Sequence, residues 1–132
     1  LLGSACAIWY YTGMTPDLAS LTGLPFWKMN GLGNDFFIID LRHTDARMTS
    51  EAAQLLGDRG GPYGCDQIIT LESRAGEPFM GIWNADGGAV EACGNAARCI
   101  GWLLMKERGE ESVAFLTPAG DIEAHRIGSM RI

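Results

Sequence analysis

Short apolar runs, each broken by glycine or aspartate, make up most of the chain from Phe26 onward. Residues 26–30 and 36–41 are two such runs, and the glycine-rich segment 31–35 between them has the composition of a tight turn. This pattern predicts a β-hairpin whose second strand is the more buried of the two.

Four further runs predict four further strands. Residues 67–72 are rich in isoleucine and threonine, and residues 79–84 alternate apolar and other positions around Gly81, with a polar loop between them. Residues 113–117 and 121–127 flank Pro118, Ala119 and Gly120, a turn composition that predicts a second hairpin.

Two segments have helical spacing instead. Residues 49–58 begin with a capping Thr or Ser and end at Gly57, and between them apolar residues recur at helical spacing: Ala52, Ala53, Leu55 and Leu56. The second segment is longer, because Cys93, Ala97, Ile100 and Leu104 form one apolar stripe that continues until Gly109 caps it. Both segments predict helices that bury one face.

Six strands and two helices joined by short turns predict an α+β fold, with a curved, mostly antiparallel or mixed sheet wrapped around a central helix. A doubly wound parallel sheet would need more helices. The chain has 132 residues, 47% of them hydrophobic and 20% charged, which is enough for one core and one domain.

The first 22 residues differ from the rest. Residues 1–11 are apolar but have no basic leader, and glycine and polar residues interrupt them too early for a membrane span. We expect residues 1–22 to be an extension, with the natural start near Met14, and residues 23–132 to form the domain. The alternative is that the extension adds a docking strand.

Charge and cysteine content exclude several classes of function. The net charge is −6 and the ten basic residues are scattered, which argues against a nucleic-acid partner. The four cysteines have neither the spacing of a zinc site nor the density of a secreted disulfide scaffold, so a reducing cytosol is the simplest setting. The pair Gly31 and Gly33 does not complete a dinucleotide-binding motif.

Cys93 is the first candidate for chemistry, because it stands where the second helix begins. The unpaired N–H groups and the positive end of the dipole at a helix start stabilise a thiolate, which can act as a base or nucleophile near neutral pH. Cys65 and Cys99 are better explained as small buried hydrophobes.

Three amide residues stand at predicted strand ends: Asn34, Gln67 and Asn84. Strand ends can converge on one pocket, and uncharged amides suit a substrate that carries both an ammonium and a carboxylate. The N–H groups of Gly94 and Asn95 would hold the carboxylate, so that a thiolate at Cys93 could remove the proton beside it. Inversion requires a second group on the opposite face.

Four motifs follow one another along the chain. They are Met29-Asn30-Gly31-Leu32-Gly33-Asn34-Asp35-Phe36, Asp58-Arg59 followed by Gly64-Cys65-Asp66-Gln67, Asn84-Ala85-Asp86-Gly87, and Cys93-Gly94-Asn95-Ala96-Ala97-Arg98-Cys99. Together and in this order they resemble the diaminopimelate epimerase family. The resemblance extends from about Phe26 to Ile127.

The resemblance implies an isomerase that interconverts LL- and meso-diaminopimelate for lysine and peptidoglycan synthesis in the bacterial cytoplasm, without pyridoxal phosphate, metal or other cofactor. It implies that Cys93 is one of two catalytic thiols. The positions that match substrate contacts of the family are Asn34, Gln67, Asn84, Gly94 and Asn95. No membrane or nucleic-acid partner follows from it, and a homodimer of the full-length protein is compatible with it.

Members of this family have two similar, pseudo-symmetric domains with the active site between them, and the second domain supplies the other thiol. Residues 120–132 do not resemble that half, and none of the other three cysteines matches the second thiol. We therefore expect the chain to be the amino-terminal domain and to be inactive alone. The alternatives are a related cofactor-free proline or hydroxyproline racemase or isomerase, and a noncatalytic binding or assembly domain in which Cys93 only packs.

Overall fold

The computed structural model of the chain describes residues 5–8 and 20–127. In these residues the strands and helices follow one another as β1 (Ala5–Ile8), β2 (Pro25–Gly31), β3 (Asn34–Asp40), α1 (Ser50–Gly57), β4 (Gln67–Arg74), β5 (Glu77–Asn84), α2 (Gly94–Arg108), β6 (Ser112–Thr117) and β7 (Gly120–His125). The six predicted strands and both predicted helices are present.

The seven strands form one sheet in which their spatial order equals their order along the chain. Neighbouring strands are antiparallel except for two parallel pairs, β3 with β4 and β5 with β6. A parallel pair needs a crossover connection, and here α1 provides the first crossover and α2 the second. The predicted mixed sheet is thus confirmed.

The larger core lies on the face of the sheet that packs against α2. The helix contributes the predicted stripe of Ala97, Ile100 and Leu104, all buried. Side chains from β2 through β7 pack against it, and the helix contacts β2, β6 and β7 directly. The sheet therefore curves around α2, as the sequence predicted.

The smaller core lies on the opposite face, against α1. Ala52, Ala53 and Leu56 are buried there, but Leu55 is 43% exposed, so its predicted place in the apolar face is wrong. At 100° per residue, Leu55 falls outside the sector that the other three define. Only the side of α1 that carries the buried residues packs against the smaller core.

Local signals set the ends of both helices. The Thr49 hydroxyl accepts a hydrogen bond from the Ala52 N–H at 3.1 Å, which caps the start of α1. Gly109 adopts a left-handed conformation with φ 66° and donates its N–H to the Met105 carbonyl, which ends α2. Both caps were predicted.

Two hairpins connect strands through two-residue turns in which both φ angles are positive. Leu32 and Gly33 join β2 to β3, as predicted. Ala75 and Gly76 join β4 to β5, where the sequence predicted only a polar loop. Positive φ at both central positions gives a turn whose twist matches that of the strands.

Parts of the predicted extension are described. Residues 5–8 form β1, which pairs antiparallel with β2 at the edge of the sheet, and Leu21 is fully buried in the smaller core. The expected start near Met14 lies outside the described residues. No helix in the described ranges is long and apolar enough to cross a membrane.

Candidate active site

The three predicted amide residues lie in adjacent strands at one end of the sheet. Gln67 pairs with Phe36 of β3 on one side and with Asn84 of β5 on the other, and Asn34 is two residues before Phe36. Residues two apart in a strand share a face. The structure therefore brings the three amides into one row.

The face that carries this row is the face that packs against α2. Phe36, Ile69 and Ile82 are each two residues from an amide of the row along the same strand, and all three belong to the core around α2. By strand alternation the amides of Asn34, Gln67 and Asn84 point to the same side. This side is where α2 begins.

Hydrogen bonds join these amides to one another and to the helix. Gln67 Nε2 donates to Asn84 Oδ1 at 3.1 Å. Asn95, in the first turn of α2, donates from Nδ2 to Asn34 Oδ1 at 2.6 Å. Asn34, Gln67 and Asn95 are half-buried and Asn84 is exposed, so the row is open to a ligand.

Cys93 is the residue that precedes the first turn of α2. It has extended backbone angles, its carbonyl accepts the Ala97 N–H at 3.0 Å, and its side chain makes no capping hydrogen bond. The residue is half-buried and packs at the margin of the larger core. The first turn of α2 contains no acidic residue, so no carboxylate within that turn opposes an anion at this helix start.

Gly31 explains how the β2–β3 hairpin approaches the helix so closely. A Cβ atom at Gly31 would lie 3.1 Å from Cys99 Sγ and 3.3 Å from the Asn95 carbonyl oxygen, closer than most real contacts. The absence of a side chain lets the hairpin rest on the first two turns of α2, within reach of the bond between Asn95 and Asn34. The sequence predicted a turn at Gly31 but not its contact with α2.

The other described cysteines have a different environment. Cys99 is fully buried, and burial raises the pKa of its thiol to about 12. Cys65 is also buried, and burial raises the pKa of its thiol, while the positive charge of Lys28 lowers it to a smaller extent. Both were predicted to be small buried hydrophobes, and their burial agrees. Of the three cysteines in residues 20–127, only Cys93 is partly accessible.

No group of three or more His, Cys, Asp or Glu side chains within the described ranges is arranged to hold a metal ion. The amide row and the first turn of α2 present amides and backbone N–H groups, which bind the charged ends of a small molecule by hydrogen bonds. The roles of Cys93, Asn34, Gln67, Asn84, Gly94 and Asn95 in binding or catalysis remain predictions.

The class of fold is shared with several solved structures. A phenazine biosynthesis protein of the PhzF family from Enterococcus faecalis aligns with a TM-score of 0.61 and 11% identity, over 80% of this chain and 41% of that chain. A phenazine biosynthesis PhzC/PhzF protein from Clostridium difficile aligns with a TM-score of 0.55 and 16% identity, over 73% of this chain and 35% of that chain. At this identity the similarity concerns the fold alone.

Sequence comparison gives the family within that class. The family model of diaminopimelate epimerase matches residues 26–128. The diaminopimelate epimerase of Phenylobacterium zucineum is 41% identical over 84% of this chain, and that of Rhizorhabdus wittichii is 52% identical over 69% of it. The chain belongs to the diaminopimelate epimerase family, which confirms the resemblance read from the four motifs. It spans 40% and 34% of the length of these two relatives.

Proposed function

We propose that this chain is the amino-terminal domain of a cofactor-independent epimerase that interconverts LL- and meso-diaminopimelate in the bacterial cytoplasm, with Cys93 as one of two acid/base thiols. The observation that carries the proposal is the position of Cys93. Its thiol is partly accessible at the start of α2, and Asn95 in the first turn of that helix is hydrogen-bonded to Asn34 of the amide row.

In the proposed reaction the first turn of α2 holds the substrate carboxylate, through the N–H groups of Gly94 and Asn95 and the positive end of the helix dipole. The amides of Asn34, Gln67 and Asn84 bind the remaining polar groups of the amino acid. The same hydrogen bonds to the carboxylate stabilise the negative charge that develops when the neighbouring carbon loses its proton.

The proton balance requires two thiols. The Cys93 thiolate removes the proton from the α-carbon and becomes a thiol, while a second thiol on the opposite face gives its proton to that carbon and becomes a thiolate. The stereocentre is inverted and the two sulfurs exchange roles, with no net gain or loss of electrons. The proposed source of the second thiol is the part of the protein that corresponds to the remaining length of the relatives.

Gly94 supports this arrangement. A Cβ atom at this position would meet nothing within 4 Å, and the residue is exposed. Packing therefore does not require a glycine at the first position of α2. A ligand that must approach the backbone closely gives a reason for it.

Alkylation of this chain tests the accessibility and reactivity of the thiol. With limiting iodoacetamide at neutral pH, peptide mass spectrometry should find Cys93 modified before Cys65 and Cys99, because the latter two are buried with raised thiol pKa values. Equal, slow modification of Cys65, Cys93 and Cys99 would instead support the noncatalytic domain in which Cys93 only packs.

Proton exchange tests the chemistry in a two-domain protein, made by following this chain with the second half of the Phenylobacterium zucineum relative. In deuterated water, LL-diaminopimelate should gain deuterium at the α-carbon, Cys93→Ala should abolish this gain, and the control Cys99→Ala should retain it. Deuterium incorporation that survives Cys93→Ala would remove Cys93 from the mechanism. Assays with proline and hydroxyproline in the same protein separate the related isomerases.

A further inference from the structure

A group of charged side chains lies behind the amide row, on the face of the sheet that packs against α1. Asp35 directly follows Asn34, and Asp66 directly precedes Gln67. Because side chains alternate along a strand, Asp35 in β3 points to the side opposite Asn34, and Asp66, which immediately precedes β4, shares the Arg59 guanidinium with it. Phe37 and Ile68, two residues further along, belong to the smaller core on that side.

One arginine connects the two aspartates. Arg59 Nη1 donates to Asp35 Oδ2 at 2.9 Å, and Arg59 Nη2 donates to Asp66 Oδ1 at 2.8 Å. Nη1 also donates to the Gly64 carbonyl at 3.2 Å. A planar guanidinium can bind two acceptors at once in fixed directions, which a lysine ammonium cannot do.

These contacts continue the pairing of β3 and β4 past its last ladder residues. The parallel ladder ends at Phe36 and Gln67, so Asn34 and Asp35 have no strand partner in β4. Beyond the end of the ladder, two other hydrogen bonds join the two segments. The Asp35 N–H donates to Asp66 Oδ2 at 2.8 Å, and the Asp66 N–H donates to the Asp35 carbonyl at 3.0 Å. The side-chain network thus holds the backbone where the ladder stops.

The network is too exposed to act mainly on overall stability. The side chain of Arg59 is 56% exposed and those of Asp35 and Asp66 are 39% and 41% exposed. Exposed ion pairs add little to the free energy of unfolding, because water and salt screen them. The consequence of this network is local, since it determines the spacing between the strand ends.

We propose that Arg59 is a positioning residue, which holds Asn34 and Gln67 at the spacing that substrate binding requires by bridging Asp35 and Asp66 from the opposite face. The inference rests on the proposed function for the identity of the substrate. The effect of Arg59 on the geometry of the amide row does not depend on the proposed function, and it can be measured in this chain alone.

Three variants test the role. Arg59→Met removes both donors, Arg59→Lys keeps the charge without the fork, and Arg74→Met is the matched control. Arg74 is 57% exposed and pairs with Glu72 at the far end of β4. Its side chain also covers the Phe79 ring at 3.5 Å, and methionine keeps part of that packing.

In the two-domain protein, Arg59→Met should raise KM for LL-diaminopimelate on the order of 10-fold, since small misplacements of binding groups have large effects. Arg59→Lys should raise it less, and Arg74→Met should leave it unchanged. The midpoint of thermal unfolding should be the same in Arg59→Met and Arg74→Met, which excludes a general loss of structure. If Arg59→Met fails to fold, the KM of Arg59→Lys tests the role instead: a raised KM supports it, and an unchanged KM contradicts it.

Nuclear magnetic resonance of this chain provides a measurement that is independent of activity. Arg59→Met should shift or broaden the side-chain amide signals of Asn34 and Gln67 and speed hydrogen exchange at the Asp35 N–H, and Arg74→Met should not. Signals and KM that match those of Arg74→Met would overturn the positioning role. If Cys93→Ala retains deuterium incorporation, the proposed function fails, and the amide signals still decide the role of Arg59.

Discussion

Gly57→Ala and Gly94→Ala add the same methyl group to the ends of two helices, and the structure gives them opposite outcomes. At Gly57 the new Cβ would lie 2.7 Å from both the Cα and the Cβ of Ala85, which is adjacent to Asn84. The obstacle is backbone and cannot rotate away. At Gly94 the new Cβ would meet nothing within 4 Å.

The expected energies follow from these distances. Overpacking against a fixed neighbour costs about 1–3 kcal/mol, and the gain in helix propensity from glycine to alanine is at most about 1 kcal/mol and smaller at the last helical residue. Gly57→Ala should therefore lower the free energy of unfolding by about 1–2 kcal/mol. Gly94→Ala should lower it by no more than about 0.5 kcal/mol, and can raise it by restricting the unfolded chain.

Urea unfolding of this chain, followed by circular dichroism and extrapolated linearly to zero denaturant, measures both values. In the two-domain protein, Gly94→Ala should nevertheless weaken the binding of diaminopimelate, because the methyl group would occupy the space that the substrate carboxylate is proposed to enter. A loss above 1 kcal/mol in Gly94→Ala, or none in Gly57→Ala, would refute the steric reasoning. Unchanged substrate binding in Gly94→Ala would refute the placement of the carboxylate.

Two further predictions concern the carboxyl groups that Arg42 binds and the cysteines Cys93 and Cys99. Burial raises the pKa of Asp40, but hydrogen bonds from Arg42 outweigh it and hold that pKa below its usual value, and an Arg42 hydrogen bond likewise lowers the pKa of Glu107. A carboxyl group whose pKa is lower in the folded than in the unfolded state stabilises the fold at pH values above its unfolded pKa, and this stabilisation is lost as the pH falls towards its folded pKa. The free energy of unfolding should therefore fall as the pH drops below about 4, and Arg42→Met should make that fall less steep. Parallel pH profiles of the two proteins would contradict this. Cys99→Ser places a hydroxyl in an apolar interior and should lower the free energy of unfolding by about 1–3 kcal/mol. Cys93→Ser should not lower it, because serine is a favourable residue at the start of a helix. Equal losses of unfolding free energy in urea would contradict both predictions.

The elements of the fold could be predicted because their signals are local. The stripe of Ala97, Ile100 and Leu104, the cap at Thr49 and the left-handed Gly109 each depend on residues within a few positions of one another. Strand parity is local as well. Asn34 and Phe36 are two residues apart, so in a strand they must lie on the same face whatever the neighbouring strands are.

Other features could not be predicted from local signals. Leu55 has helical spacing yet is exposed, because the α1 interface buries only one sector of a short helix. The pairing of β1 with β2 and the hairpin turn at Ala75 likewise depend on which strands become neighbours. Periodicity contains no information about that choice.

By itself the sequence determined six of the seven described strands, both helices, the family and the candidate residues, because each is encoded over short stretches or in motifs. Only the tertiary structure decided that Gln67 stands between Phe36 and Asn84, and that one arginine joins two aspartates behind the amide row. The physical reason is that a parallel crossover brings together residues 31 apart in the chain. Their register is set by the packing of two cores on opposite faces of one sheet, which no local pattern specifies.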